Sequence, residues 1–363
     1  MKAKAAVFVG PHKDFEVREF DVTPCPKGYG QMKLIASSIC GTDVHIHNGK
    51  LDSAYPTIIG PEFVGQIMDM DVEEGAKYGL KIGDNVVAYI AVSCGECILC
   101  KSGDDANCVN MQVTNGGDIE QAPYLYGGYA EVNYTPLPNL IRIPDSVDPT
   151  VAATFACPGP TGIHAIRLAQ RAGVDFSKIN VAVVQGLGPV GTFAVMYLKA
   201  MGIPNVYVIT TGRHPAREAI ALELGADKIF RLNEAGPEAV TKALQAENGG
   251  LGVDLCFEAS GVPSAVPQGM EILRNRGVYL VPGQYSAAGT IPIQPEMITF
   301  KALHIIGSSQ YSVCDVEDYL TFLEQNPQLY GQIDKLGTKF PVEQINEAMA
   351  YTRSGKNVKT LLV

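Results

Sequence analysis

Cys94, Cys97, Cys100 and Cys108 crowd into a single loop. Four thiolates at that spacing match a closed, tetrahedral structural zinc site, which keeps no position open for substrate. The competing reading is a redox dithiol or a set of incidental cysteines. A second cluster runs Cys40-Gly41-Thr42-Asp43-Val44-His45-Ile46-His47. A thiol, a hydroxyl, a carboxylate and an imidazole this close together suit a metal ligand followed by a proton relay. A buried cysteine leading into a surface turn accounts for the same residues equally well. Glu62 stands inside the apolar, strand-like run 58–67. A carboxylate there is costly unless it is paired or bound to metal.

A third constellation starts at Val183-Val184-Gln185 and opens into Gly186-Leu187-Gly188-Pro189-Val190-Gly191, followed directly by a helical apolar pattern. A glycine triplet is weak evidence by itself, but a strand before it and a helix after it complete the dinucleotide-binding context. Gly186 permits the tight turn, Gly188 lets backbone approach a pyrophosphate, and Gly191 allows close helix–strand packing. The pyrophosphate is then held by the N–H groups and positive end of the following helix. NAD-binding versions of this unit carry an acidic residue about 20 positions later, on the ribose 2′-hydroxyl. This chain has Thr210-Thr211-Gly212-Arg213-His214 there and no carboxylate. Gly212 leaves room, Arg213 offers a planar cation for a 2′-phosphate, and His214 can assist, so NADP(H) is expected over NAD(H). The bland alternative for Arg213 is a solvated cation at a helix start.

Short apolar runs separated by turn residues fill positions 1–35 and resume at Gly127-Gly128-Tyr129-Ala130-Glu131, which reads as β-structure. Helical periodicity takes over from about residue 149, and Cys157 falls where Pro158 and Pro160 interrupt it. A core cysteine is the usual explanation for such a residue. From residue 179 strands and helices alternate, which predicts a parallel sheet covered on both faces. The tail carries a strand near 303–306, two helical stretches and a terminal strand at 359–363. The expected organisation is one domain from residues 1–158 with 304–363, and an inserted α/β domain from 159–303. The 363 residues can bury such a pair of cores, and a net charge of −10 argues against nucleic acid or an anionic membrane as the main partner. The start of the chain is charged and too briefly apolar for a signal peptide, and no apolar run reaches membrane-span length, so cytoplasm is the default expectation.

Over essentially its whole length the sequence resembles the zinc-containing medium-chain alcohol/polyol dehydrogenase family. The resemblance rests on Cys40-Gly41-Thr42-Asp43 with His45, Gly60-x-Glu62-x-x-Gly65, the four-cysteine lobe, Gly127–Glu131, the glycine loop, and Val253-Asp254-Leu255-Cys256-Phe257-Glu258-Ala259-Ser260-Gly261. It implies a GroES-like β-barrel catalytic domain, an inserted Rossmann doubly wound sheet, a cleft between them, and a homo-dimer or homo-tetramer. It also implies Cys40 and Cys157 as catalytic zinc ligands, Glu62 as an acidic neighbour that ligates directly in some members, and Thr42 and His45 as the proton relay. Ala259, with its neighbours, and Val281 would line the nicotinamide. The family motif normally reads Gly-His-Glu with the histidine on zinc, whereas this chain has Pro61. Cys40, Glu62 and Cys157 are then the three protein ligands, and His47 is an open substitute.

The leading expectation is therefore a zinc-dependent, NADP(H)-linked oxidoreductase of a secondary alcohol, polyol or sugar, with one structural and one catalytic Zn2+. A zinc-free carbonyl or enone reductase is the alternative that Pro61 raises. A non-catalytic NADPH-binding protein ranks third.

Overall fold

The computed structural model describes residues 1–363, and the chain divides into two compact units, Met1–Pro160 with Tyr311–Val363, and Thr161–Gln310. In the first unit, β1 (Lys2–Val7) and β2 (Glu16–Asp21) form an antiparallel pair. β3 (Tyr29–Ser38), β4 (Phe63–Met70) and β5 (Asn85–Ala88) follow, and the short pair β6 (Ala91–Val92) and β7 (Gln112–Val113) closes the base of the cysteine loop. β8 (Val132–Pro136) and β9 (Leu140–Arg142) complete the β-rich run.

Residues from the far end of the chain join the same sheet. β16 (Gly337–Phe340) and β17 (Lys359–Leu362) give the order β16-β17-β3-β4-β5-β9, with β8 also paired to β3. The sheet buries Met32, Phe63, Ile67 and Val86 on one side, and Ala5, Tyr129 and Met349 belong to a second core. Every residue of β17 is buried, which places the charged side chain of Lys359 in the interior. Gly41–His47 is a short helix with Cys40 at its N-cap, and the Asp43 carboxylate accepts the Cys40 N–H at 2.8 Å.

The second unit is built on β10 (Val181–Gln185), β11 (Asn205–Thr210), β12 (Lys228–Arg231), β13 (Val253–Glu258), β14 (Leu273–Val281) and β15 (His304–Gly307). All neighbours run parallel in the order β12-β11-β10-β13-β14-β15. That is the doubly wound arrangement, with the order reversing between β10 and β13. Val181 to Val184 are all buried, as expected of a strand covered on both faces. The helices Pro189–Ala200, Pro215–Glu223 and Pro237–Gln245 each begin with proline at the first position, where its missing N–H costs no intrahelical bond.

One boundary moves. The sequence suggested a return to the first domain at residue 304, but His304–Gly307 pairs parallel with β14 and extends the inserted sheet, so the second unit runs to Gln310. Continuing ladder hydrogen bonds along β14, rather than hydrophobic pattern, decide this.

Asp254 ties the unit together from a buried position. Its Oδ2 accepts the N–H groups of Asn180 and Val181 at 2.9 and 2.8 Å, and Arg274 Nε donates to Oδ1 at 2.5 Å. Burial opposes the charge, but Arg274 and the backbone donors outweigh it and hold the carboxyl below its ordinary range. Asp254→Ala removes the acceptor of two backbone N–H groups, of Asn248 Nδ2 and of Arg274 Nε, and should lower stability at pH 7 by about 2–4 kcal/mol in urea unfolding.

Candidate active site and metal centres

The four-cysteine loop gathers its thiols so that all four sulfur atoms lie within 4.8 Å of one another. The backbone points donors at them: Cys94 N–H reaches the Cys108 sulfur at 3.3 Å, Cys97 N–H reaches Cys94 at 3.4 Å, and Cys100 N–H reaches Cys97 at 3.5 Å. Backbone donors at Glu96 and Cys97 pull the Cys94 thiol down to about 6. Backbone donors lower Cys97 as well, while burial and the neighbouring thiols push Cys100 up to about 12, and four thiols converging in this way fit a structural zinc.

The second group consists of Cys40, Glu62 and Cys157, whose ligand atoms also fall within 4.8 Å. Cys40 comes from the N-cap of the short helix, Glu62 from the residue before β4, and Cys157 from the turn between the helices Pro149–Thr154 and Pro158–Arg171. The two sulfur atoms are 4.0 Å apart. Glu62 is 1% exposed, with Oε1 taking a hydrogen bond from Lys359 Nζ at 2.7 Å and Oε2 one from the Ser38 hydroxyl at 2.6 Å. The Cys40 sulfur and burial both push the Cys157 thiol up. Burial alone would discharge Lys359, but Glu62, Cys40 and Cys157 together raise it. With both thiolates formed, three negative charges face one buried cation, a balance that a divalent ion closes. Two thiolates and one carboxylate are acceptable zinc ligands, so the residues fit the metal.

Around this group, Asp43 is buried, and burial raises its carboxyl to about 7 against hydrogen bonds from Tyr129 Oη at 2.7 Å and from the Cys40 N–H. Thr42 is partly exposed on the same helix. His45 is half-buried, its Nδ1 has no hydrogen-bond partner, and burial followed by Lys50 lowers its pKa toward the neutral ring. His47, the open substitute ligand, is committed elsewhere. Its Nε2 lies 2.9 Å from the Lys13 carbonyl oxygen and its ring stacks on Phe15 with centroids 5.5 Å apart. Pro61 lies beside Glu62 and offers no side-chain donor.

In the second unit a cavity of about 1050 Å³ opens over the carboxyl ends of the strands. Gly186, Leu187 and Gly188 line it, and Gly188 caps the helix Pro189–Ala200. Pro189, Val190 and Gly191 form the first turn of that helix. Gly186 has φ +94°, and a Cβ there would meet the Ser260 Cα at 2.9 Å; one on Gly191 would strike the Gly186 carbonyl oxygen at 2.0 Å. The 2′-phosphate candidates separate: His214 lines the cavity with Thr210 and Thr211, while Arg213 is exposed and outside the lining. Arg217, one helical turn further on, lines the cavity instead and donates to the Leu187 carbonyl at 3.3 Å. Ala259 is part of the lining, and Val281 is not.

Three side chains escaped the sequence reading. Lys359 had a usable signal, because a lone lysine in a buried terminal strand needs the same explanation as Glu62 in its own strand. Ser38 and Arg217 had none, since only tertiary packing and helix phase bring them to their sites. Lys359→Met would leave the Glu62 charge buried without its partner and should cost about 3–5 kcal/mol in urea unfolding.

Comparison with known proteins shows the family. The description "alcohol dehydrogenase GroES-like domain" matches residues 27–145, and "zinc-binding dehydrogenase" matches residues 189–325. A 5-exo-hydroxycamphor dehydrogenase of Pseudomonas putida is 28% identical over 99% of this chain and 98% of its own. An erythritol/L-threitol dehydrogenase of Mycolicibacterium smegmatis is 30% identical over 80% of this chain and 78% of its own. The crystal structure of an alcohol dehydrogenase from Thermotoga maritima superposes with a TM-score of 0.89 at 27% identity, covering 100% of this chain and 99% of that one. The chain belongs to the medium-chain alcohol dehydrogenase family, with a GroES-like domain and a Rossmann-type domain, and is an oxidoreductase of the alcohol/polyol class.

Proposed function

We propose that the protein is a zinc-dependent, NADP(H)-linked dehydrogenase of a secondary alcohol, polyol or sugar. The observation that carries the zinc part is the convergence of the ligand atoms of Cys40, Glu62 and Cys157 within 4.8 Å of one another, with Glu62 paired to the buried Lys359. A zinc held there supplies Lewis acidity to a substrate hydroxyl and lowers its pKa. Cys40 and Cys157 bind as thiolates, Lys359 balances the charge of Glu62, and Ser38 orients its second oxygen. Thr42 passes the substrate proton to His45, whose depressed pKa keeps the ring ready to accept it. Four thiolates at Cys94, Cys97, Cys100 and Cys108 hold a second, structural zinc.

The substrate class draws support from the names of two relatives, an erythritol/L-threitol dehydrogenase and a 5-exo-hydroxycamphor dehydrogenase. The NADP(H) preference draws support from the absence of a carboxylate at the end of β11 and from Arg217 in the cavity lining. A homo-dimer or homo-tetramer is part of the same proposal. No helix is long and apolar enough to cross a membrane. The second reading, metal-free carbonyl or enone reduction, is favoured by one observation, Pro61 in the usual histidine position.

Elemental analysis should give close to two zinc per chain, falling to one in Cys40→Ala. One zinc per chain that the substitution leaves unchanged would overturn zinc catalysis and favour the metal-free reading. For the coenzyme, Arg217→Ala should weaken NADPH by about tenfold or more and NADH by clearly less, the shared part of the loss coming from the Leu187 carbonyl contact, by calorimetric titration. Arg213→Ala should have the smaller effect.

A further inference from the structure

Glu258 ends β13 with none of its surface exposed, and every partner of its carboxylate is neutral. Oε1 accepts the Ser260 N–H at 2.7 Å, the Gly261 N–H at 3.2 Å, and a short hydrogen bond from the Ser260 hydroxyl. Oε2 accepts the Tyr285 hydroxyl at 2.7 Å. A buried carboxylate without a cation is expensive, and an acceptor-only group suits this site because donors face it from two different turns. The packing leaves little slack: a Cβ on Gly283 would stand 1.8 Å from Oε2, and one on Gly261 would stand 2.4 Å from the Gln284 carbonyl oxygen.

These contacts join three segments. Gln185 of β10 is in register with Glu258, and the Gln185 carbonyl accepts the Ala259 N–H at 2.9 Å. Ser260 packs against Gly186 in the phosphate turn, and Tyr285 belongs to the segment that leaves β14. The order of the sheet reverses between β10 and β13, and a dinucleotide lies across such a reversal. Thr210, His214 and Arg217 line the cavity on the β11 side, so the adenosine half belongs there. The other half then falls on the β13 side, against Ala259 and Ser260 in the turn that Glu258 holds. Glu258 does not line the cavity itself.

We propose that Glu258 is a positioning residue of the dinucleotide site, clamping the turn after β13 to the turn after β14 and so shaping the wall that receives the nicotinamide half. Fixing that wall before binding removes part of the ordering cost of association. The inference rests on the dinucleotide reading of this cavity and extends it to a residue outside the lining.

The test is calorimetric titration of wild type, Glu258→Gln, Tyr285→Phe and the double variant with two probes. One probe is NADPH, and the other is adenosine 2′,5′-bisphosphate, which carries only the adenosine end. Glu258→Gln should weaken NADPH by about tenfold and leave the bisphosphate within about twofold. Tyr285→Phe, which removes one donor and keeps the ring, should weaken NADPH by about threefold and add nothing further in the double variant. It also carries the test if Glu258→Gln fails to fold. Unchanged NADPH affinity in both variants overturns the proposal, and so does an equal loss for both probes, which would mark a role in the stability of the whole domain. If wild type prefers NADH, the NADP(H) reading fails by itself, and the same comparison with NADH and ADP decides the role of Glu258.

Discussion

A lysine and a glutamate, both almost wholly out of water, face each other at 2.7 Å in the first unit, and the candidate catalytic centre depends on that pair. Neither charge is tolerable there alone, because the desolvation of an isolated ion far exceeds what packing can offset. Glu62 and Lys359 are nearly three hundred residues apart in the chain, yet the terminal strand β17 brings them together by lying between β16 and β3. The pair therefore requires the sheet to be complete. With it in place, Cys40 and Cys157 converge on a carboxylate whose orientation is already set by Lys359 and Ser38. The Pro61 departure reads differently in that light: the missing imidazole removes one neutral ligand and leaves the charge balance of the group unaltered.

The second unit is organised by a different constraint. Parallel strands need crossovers, and the reversal of strand order between β10 and β13 creates a crevice that no hydrophobic contact fills. Turns at the carboxyl ends must carry function and still be held in place. Here polar groups do this: at the carboxyl end of β13 Glu258 accepts the N–H groups of Ser260 and Gly261 in the turn that follows it, and at the amino end Asp254 accepts those of Asn180 and Val181. Both carboxylates have low exposure and defined partners, which is how a parallel sheet keeps irregular backbone rigid without regular ladder bonds.

Much of this was legible in the chain itself, for physical reasons that differ from motif to motif. Cys94, Cys97, Cys100 and Cys108 are close in sequence, and four thiols on one short loop cannot avoid one another. The glycine loop is local as well, since Gly186 needs its positive φ and Gly191 its bare Cα within a single strand–turn–helix unit. The alternation of strands and helices after residue 179 follows from periodicity, and the elements that form lie close to the expected ones. The sequence pointed to Arg213 and not to Arg217. Both follow the same strand, but Arg213 lies exposed in the turn before the helix Pro215–Glu223, whereas the phase of that helix turns Arg217 into the cavity.

The sequence by itself determined the fold class, the glycine turn and the four-cysteine loop, because each rests on interactions a few residues long. Tertiary structure alone decided that His304–Gly307 extends the parallel sheet, that His47 is committed to Lys13 and Phe15, and that Lys359 is the counter-ion of Glu62. Hydrogen-bond ladders, ring stacking and buried charge pairs join residues far apart in the chain, and local pattern carries no record of which distant partner each group will meet.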